Sequence, residues 1–242
     1  MKVLPVFWLG RRSYREGLAW QAWAAEQVRR HATLLLLEHD PVVTVGTGGG
    51  WDLFRQSPEG LAQAGIEIWQ VGRGGKVTYH GPGQLVGYPV LDLNEFGRDV
   101  HRYLRLLEDS LIELCGRYGL LAGRWPGKTG VWVGGAKIAA IGIRVARWVT
   151  YHGFAFNVAP DLTAFDWIVP CGLPDPVTSL ARLVGPACPP LPVVAQVYAE
   201  CFQAVFGLPG VEWVEAAGVP CPGPPPDVRP VPSFLNAWRS PL

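Results

Sequence analysis

The chain has 242 residues, with 21 basic and 20 acidic side chains and a formal net charge of +1. That length can bury a real core in a single domain. So balanced a charge gives no global field to draw nucleic acid or anionic lipid, and a small or apolar substrate fits better. The 30 glycines and 23 prolines make a loop-rich chain but fall below the level of a disordered, low-complexity one. No apolar run approaches the eighteen or so residues that cross a membrane, and MKVLPVFWLGRR lacks the long apolar region of a signal peptide, so a cytoplasmic protein is expected. The five cysteines, Cys115, Cys171, Cys188, Cys201 and Cys221, are odd in number and form no C-x-x-C pair. Neither a disulfide framework nor a zinc site is indicated.

In chain order, Ser13-Tyr14-Arg15-Glu16 reads as a capping box opening a helix from about Tyr14 to Arg30. Thr33–Leu37 and Val42–Val45 are short enough for strands, with Asp40-Pro41 as the turn between them. Gly46–Gly50 reads as a flexible loop, Ile66–Val71 as a strand, Arg73–Gln84 as a glycine-rich loop and Leu85–Leu93 as a strand. From about Arg98 to Tyr118, apolar residues recur at helical spacing, closed by Gly119. Gly130–Val158 reads as a β-meander with a two-residue turn at Gly134-Gly135. A last helix runs from about Val193 to Phe206, ahead of a proline-rich tail. Without a regular βαβ period, the expectation is an α+β fold: a mixed, largely antiparallel sheet flanked by helices, as one domain over residues 1–215, with residues 216–242 packed on it or trailing from it.

Four segments invite chemistry. In Arg73–Gln84, four glycines allow backbone amides to approach a ligand, beside donors on Arg73, Thr78, His80 and Gln84; the spacing fits neither a P-loop nor a dinucleotide fingerprint, and a plain hairpin loop stands as the alternative. In Gly135–Ile143, Lys137 is the one charged residue in an apolar run. Burial there would strip its hydration and suit it to proton transfer, whereas a strand-end lysine reaching for solvent is the ordinary reading. Strict alternation puts Ala140 and Gly142 on the face opposite Lys137, so a bulge or backbone contacts are needed for all three to line one site. Cys171 lies between Pro170 and Gly172 on what reads as a rigid turn, against the alternative of an inert buried thiol. Cys115 and Cys201 fall on helical apolar stripes and read as core. His152 and Asn157 bracket the strand of Phe154 and Phe156, equally a site wall or plain core.

These segments in this order, RGGKVTYHGPGQLVGYPVLDL, GAKIAAIG, HGFAFNV and IVPCG with Val177-Thr178-Ser179-Leu180 behind it, resemble the lipoyl(octanoyl) transferase family of the biotin and lipoate protein ligase superfamily. The resemblance spans about Glu38 to Leu180. It implies that fold, and transfer of an octanoyl or lipoyl group from acyl carrier protein to a lysine on lipoyl domains of 2-oxoacid dehydrogenase E2 subunits or glycine cleavage H protein, with no cofactor or metal. It implies Cys171 as nucleophile and Lys137 as its acid/base partner. Substrate contacts would fall on Arg73, Gly74, Gly75, Lys76, Val77, Thr78, Tyr79 and His80, on Ala140, Ile141 and Gly142, and on Gly153, Phe154 and Ala155, with Lys76 and Phe154 acting through backbone or shape. An ATP-dependent lipoate ligase is the nearest rival, and a cysteine thioesterase or hydrolase the next.

Overall fold

The computed structural model describes residues 3–168, 176–223 and 230–231. Strand β1 (Leu4–Arg12) leads into helix α1 (Tyr14–Gln27) through the expected capping box, in which the Glu16 amide donates to Ser13 and the Ser13 amide to the Glu16 carboxylate at 3.0 Å. The helix ends at Val28, short of the expected Arg30. Strands β2 (Thr33–His39) and β3 (Val42–Val45) follow, then a short helix α2 (Pro58–Gln63) and strands β4 (Glu67–Gln70), β5 (Val77–His80) and β6 (Gln84–Val90). Helix α3 (Val100–Arg117) precedes β7 (Ala122–Gly123), β8 (Val131–Val133), β9 (Ala136–Ala146) and β10 (Val149–Asn157). Helices α4 (Leu180–Val184) and α5 (Leu191–Phe206) and strand β11 (Val211–Glu215) complete the described elements.

Eight strands form one sheet in the order β11-β1-β2-β6-β10-β9-β8-β7. β1 pairs in parallel with β2 and β11, and every other neighbouring pair is antiparallel. The fold class is the mixed, largely antiparallel one expected. Side chains alternate across each strand, so Leu34, Leu36, Leu85 and Phe156 face Leu107 and Leu111 of α3 and Tyr198 and Phe202 of α5. Leu35, Leu37, Val86, Tyr88 and Ala155 face the other way, toward Trp20 and Ala24 of α1. Each large apolar side chain so taken out of water contributes roughly 1.5–3 kcal/mol. The Gly134-Gly135 connection has φ of 57° and 83°, the left-handed pair that a two-residue hairpin turn requires.

A second, three-stranded sheet in the order β4-β3-β5 overturns the reading of Arg73–Gln84 as one loop. Within that segment lies strand β5, paired with β3 so that Thr78 lies opposite Thr44. Val77 and Tyr79 turn into a small core with Val43, Val45, Ile68 and Phe165, and alternation sends Thr78 and His80 to the other face. Gly46–Gly50 does not hang free either: Gly46, Thr47 and Gly48 donate to the carbonyls of Lys76, Arg73 and Gly75 at 2.9–3.1 Å. The Gly74 amide donates to the Ile143 carbonyl of β9 at 2.8 Å and ties the small sheet to the large one. Beyond β11 the chain remains attached, with Ala216 donating to Trp8 at 2.9 Å and Arg12 reaching the Ala216 and Val219 carbonyls at 2.9 and 2.6 Å. No described helix is long and apolar enough to cross a membrane.

Candidate active site

Between the two sheets, space opens along the β9–β10 ladder, whose register sets Ala140 opposite Ala155 and Gly142 opposite Gly153. A first cavity is lined by Lys137, Ala139, Ala140, Ala155, Asn157, Gln84, Thr78, Phe165 and Val177. A second continues from it, sharing Thr78, Ala140 and Ala155, and adds Arg73, Gly74, Gly75, His80, Ile141, Gly142, Gly153 and Phe154. The ring of Phe154 sits in the helix-side core, 4.5 Å from the Tyr198 ring centre, so alternation leaves its backbone toward the cavity. Three of the residues expected as substrate contacts stand off it. Lys76 is exposed, and Val77 and Tyr79 serve the small sheet's own core. Tyr14, Tyr88 and His152 line the second cavity as well. Sequence pattern flags His152 alone among these, because Tyr14 and Tyr88 arrive through long-range packing that no local signal encodes.

Lys137 reaches this space through a bulge. Pairing shifts between Val131↔Ala139 and Trp132↔Lys137, and the extra residue, Ile138, joins Ala139 in the helix-side core. Lys137 and Ala140 therefore share the cavity face despite lying three apart, as such an irregularity permits. The lysine is only 9% exposed. Its Nζ lies 5.1 Å from the centre of the Trp132 ring. On its flank is Gly130 at φ 136°, where a Cβ would come within 2.7 Å of Lys137 Cε and 2.6 Å of the Ala139 carbonyl; only glycine fits there. The Gly130 amide donates to Glu108 Oε1 at 3.3 Å, and that fully buried carboxylate also accepts from Arg105 and Arg124 at 2.6 and 2.7 Å.

The backbone of Lys137 is paired with the chain that runs on from Cys171: its amide donates to Pro176 at 2.8 Å and its carbonyl accepts from Thr178 at 2.9 Å. Asn157 donates to the Thr178 carbonyl at 2.9 Å and accepts from Gln84 at 3.0 Å. Cys171 itself lies outside the described residues. Of the other thiols, burial pushes Cys115 up to about 12 and Cys201 up to about 11, and also raises Cys188 and Cys221. Cys115 and Cys201 sit in the core, as their spacing suggests.

The second cavity ends among polar rings. Buried Arg73 donates to the Thr44 carbonyl at 2.7 Å and to its hydroxyl at 2.8 Å. His39 Nδ1 donates to the Arg12 carbonyl at 3.0 Å, which leaves Nε2 to accept from the Tyr88 hydroxyl at 2.7 Å. Burial lowers His39 to about 4 and, with Arg73 and Arg144 nearby, His152 to about 3; burial, His39 and Arg73 take His80 well below its ordinary value. All three are neutral in the fold at pH 7. An unfolded histidine titrates near 6.5, so between there and pH 4 the unfolded state binds more protons, and stability falls as pH falls. His39 alone is worth about 3 kcal/mol across that window. The melting temperature is expected to drop steadily from pH 6.5 to pH 4, and the drop to shrink in His39→Gln; equal acid slopes in the two proteins would refute the assignment.

A family model described as the lipoyl protein ligase A/B catalytic domain matches residues 13–204. An octanoyltransferase of Solibacter usitatus is 48% identical over 215 residues, covering 86% of this chain and 96% of its own. One of Gloeobacter violaceus is 53% identical over 181 residues, 74% of this chain and 78% of its own. Among solved structures, a lipoate-protein ligase A bound with ATP superposes with a TM-score of 0.69 at 18% identity, covering 89% of each chain, a likeness of fold.

Proposed function

Since this chain belongs to the octanoyltransferase family of lipoyl protein ligase A/B catalytic domains, we propose that it moves an octanoyl group from acyl carrier protein to a specific lysine of a lipoyl domain through an acyl thioester on Cys171. Lipoyl, an eight-carbon acyl group that ends in a dithiolane ring, is a second cargo, and the acceptors are E2 subunits of 2-oxoacid dehydrogenases and glycine cleavage H protein. The observation that carries this reading is the position of Lys137: buried at one end of a trench between two sheets, with its backbone laddered to the segment that follows Cys171.

In the proposed reaction the Cys171 thiolate attacks the donor thioester carbonyl, and backbone amides near the cysteine or in the glycine-rich loop hold the oxyanion. The donor carbon–sulfur bond breaks, the Lys137 ammonium gives its proton to the departing carrier thiolate, and the acyl group remains on Cys171. The acceptor lysine then attacks the acyl carbon as its free amine, Lys137, having given up its proton in the first half-reaction, takes the proton from the attacking nitrogen, and the amide forms as the Cys171 thiolate departs beside the restored ammonium. The Trp132 ring and Gly130 flank Lys137 at that end of the trench. Gly142 carries the glycine-rich loop close above the trench: a Cβ there would stand 3.0 Å from the Gly74 carbonyl. The octanoyl tail lies along Ala140, Gly142, Gly153 and Ala155, each buried methylene contributing about 0.8 kcal/mol.

Intact-mass measurement after mixing with octanoyl-carrier protein, without ATP, tests the scheme. One octanoyl adduct is expected, discharged when unmodified lipoyl domain is added. Transfer that requires ATP and releases pyrophosphate would replace the reading with a ligase, and release of octanoate without gain by the acceptor would replace it with a thioesterase.

A further inference from the structure

Resting on the acyl-trench reading above, we infer that His152 is the stopper that sets acyl chain length, and that behind it the trench continues into a second apolar groove able to take longer acyl chains. The spaces along the β9–β10 ladder follow the strands in order. Lys137, Ala140 and Gly142 mark the run of the trench on β9, with Asn157, Ala155 and Gly153 facing them from β10. The next pair along, Arg144 opposite Tyr151, lines a further groove of about 210 Å³ together with Leu18, Ala22 and Val71. Among the described residues His152 is the one that lines both that groove and the trench cavity beside it. Space for further methylenes is therefore already present beyond the ring, in a groove that Gln21, Gln70 and Arg144 also line but whose wall surface is mostly apolar.

The ring is held in place by unusual means. Within strand β10, His152 adopts φ 57°, the left-handed region that non-glycine residues seldom enter. Its amide donates to Gln21 Oε1 at 2.7 Å, and its ring meets Tyr88 edge-on with centres 6.3 Å apart. Strain of this kind persists where surroundings over-determine it, and it collects at ligand sites. Here its consequence is to swing one side chain out of the strand's alternation and across the trench.

His152→Gly tests this without asking the backbone for anything new, because glycine adopts that φ without steric cost. Initial rates are to be compared for octanoyl, decanoyl and dodecanoyl carrier protein in one mixture. Each newly buried methylene is worth about a factor of four, so the decanoyl-to-octanoyl ratio of kcat/KM is expected to rise about 15-fold over wild type, and to fall back when Ala22→Phe refills the groove in the same variant. His152→Asn, which also tolerates φ above zero, provides the same comparison should the glycine variant not fold, with a smaller rise. An unchanged chain-length ratio in a variant that still transfers octanoyl would overturn the stopper. Failure of the wild-type protein to transfer octanoyl would instead overturn the function on which the stopper rests.

Discussion

Lys137→Ala is expected to lower octanoyl transfer by about 10²–10⁴-fold, the range that a positioned acid or base contributes. The substitution removes the amine of a residue that is 9% exposed and whose side chain lies over the Trp132 ring and flanks Gly130; the strand itself is fixed through backbone bonds to Pro176 and Thr178, which alanine keeps. The fold should therefore survive, with a melting temperature lowered by a few degrees at most from lost packing. Two readouts separate catalysis from mere support. On the proposed scheme, alkylation of Cys171 against pH should shift to higher pH when the Lys137 cation is gone, since a nearby positive charge favours thiolate. In single-turnover experiments the slower step should be aminolysis of the acyl-enzyme, where the lysine takes the acceptor proton. An unshifted alkylation profile together with unslowed aminolysis would remove Lys137 from the mechanism.

How far the site can be read before the fold is known depends on the range of each signal. The hairpin at Gly134-Gly135 and the capping box at Ser13–Glu16 are local, and both form as their residues dictate. The conflict between Lys137 and Ala140 is visible as broken alternation, and its resolution by a bulge at Ile138 follows from the same rule. Strand β5 is hidden because Val77–His80 sits among glycines, so turn chemistry masks a period of two. Strand β1 is hidden by Pro5 and by its pairing on both edges, with β2 and β11, the second of which lies far away in sequence. Tyr14 and Tyr88 cannot be found locally at all: one opens a helix and the other sits mid-strand, and only packing of α1 and β6 around the small sheet brings both to the trench. The chemistry is thus legible in short motifs, whereas the shape of the cavity that receives the acyl chain belongs to contacts between distant segments.

Cys171→Ala should abolish both the octanoyl adduct and transfer, a loss of roughly 10⁴–10⁶-fold, because removing a nucleophile disables the whole covalent route and not one stabilising contact. The four remaining thiols offer no bypass. Cys115 and Cys201 are fully buried in the helix-side core and held near 12 and 11, and Cys188 and Cys221 are also raised by burial; a thiol so displaced is almost wholly protonated at pH 7 and makes a poor nucleophile. Cys171→Ser sharpens the comparison. A serine hydroxyl has no counterpart of the thiolate near neutral pH, and un-ionised it is a weak nucleophile toward a thioester. No stable octanoyl ester is therefore expected in mass spectra of the Cys171→Ser protein, which should behave as the alanine variant does. Full activity in either variant, or an adduct that reappears on another cysteine at the wild-type rate, would show that the acyl group travels by a different route and that Lys137 serves a donor other than this thiol.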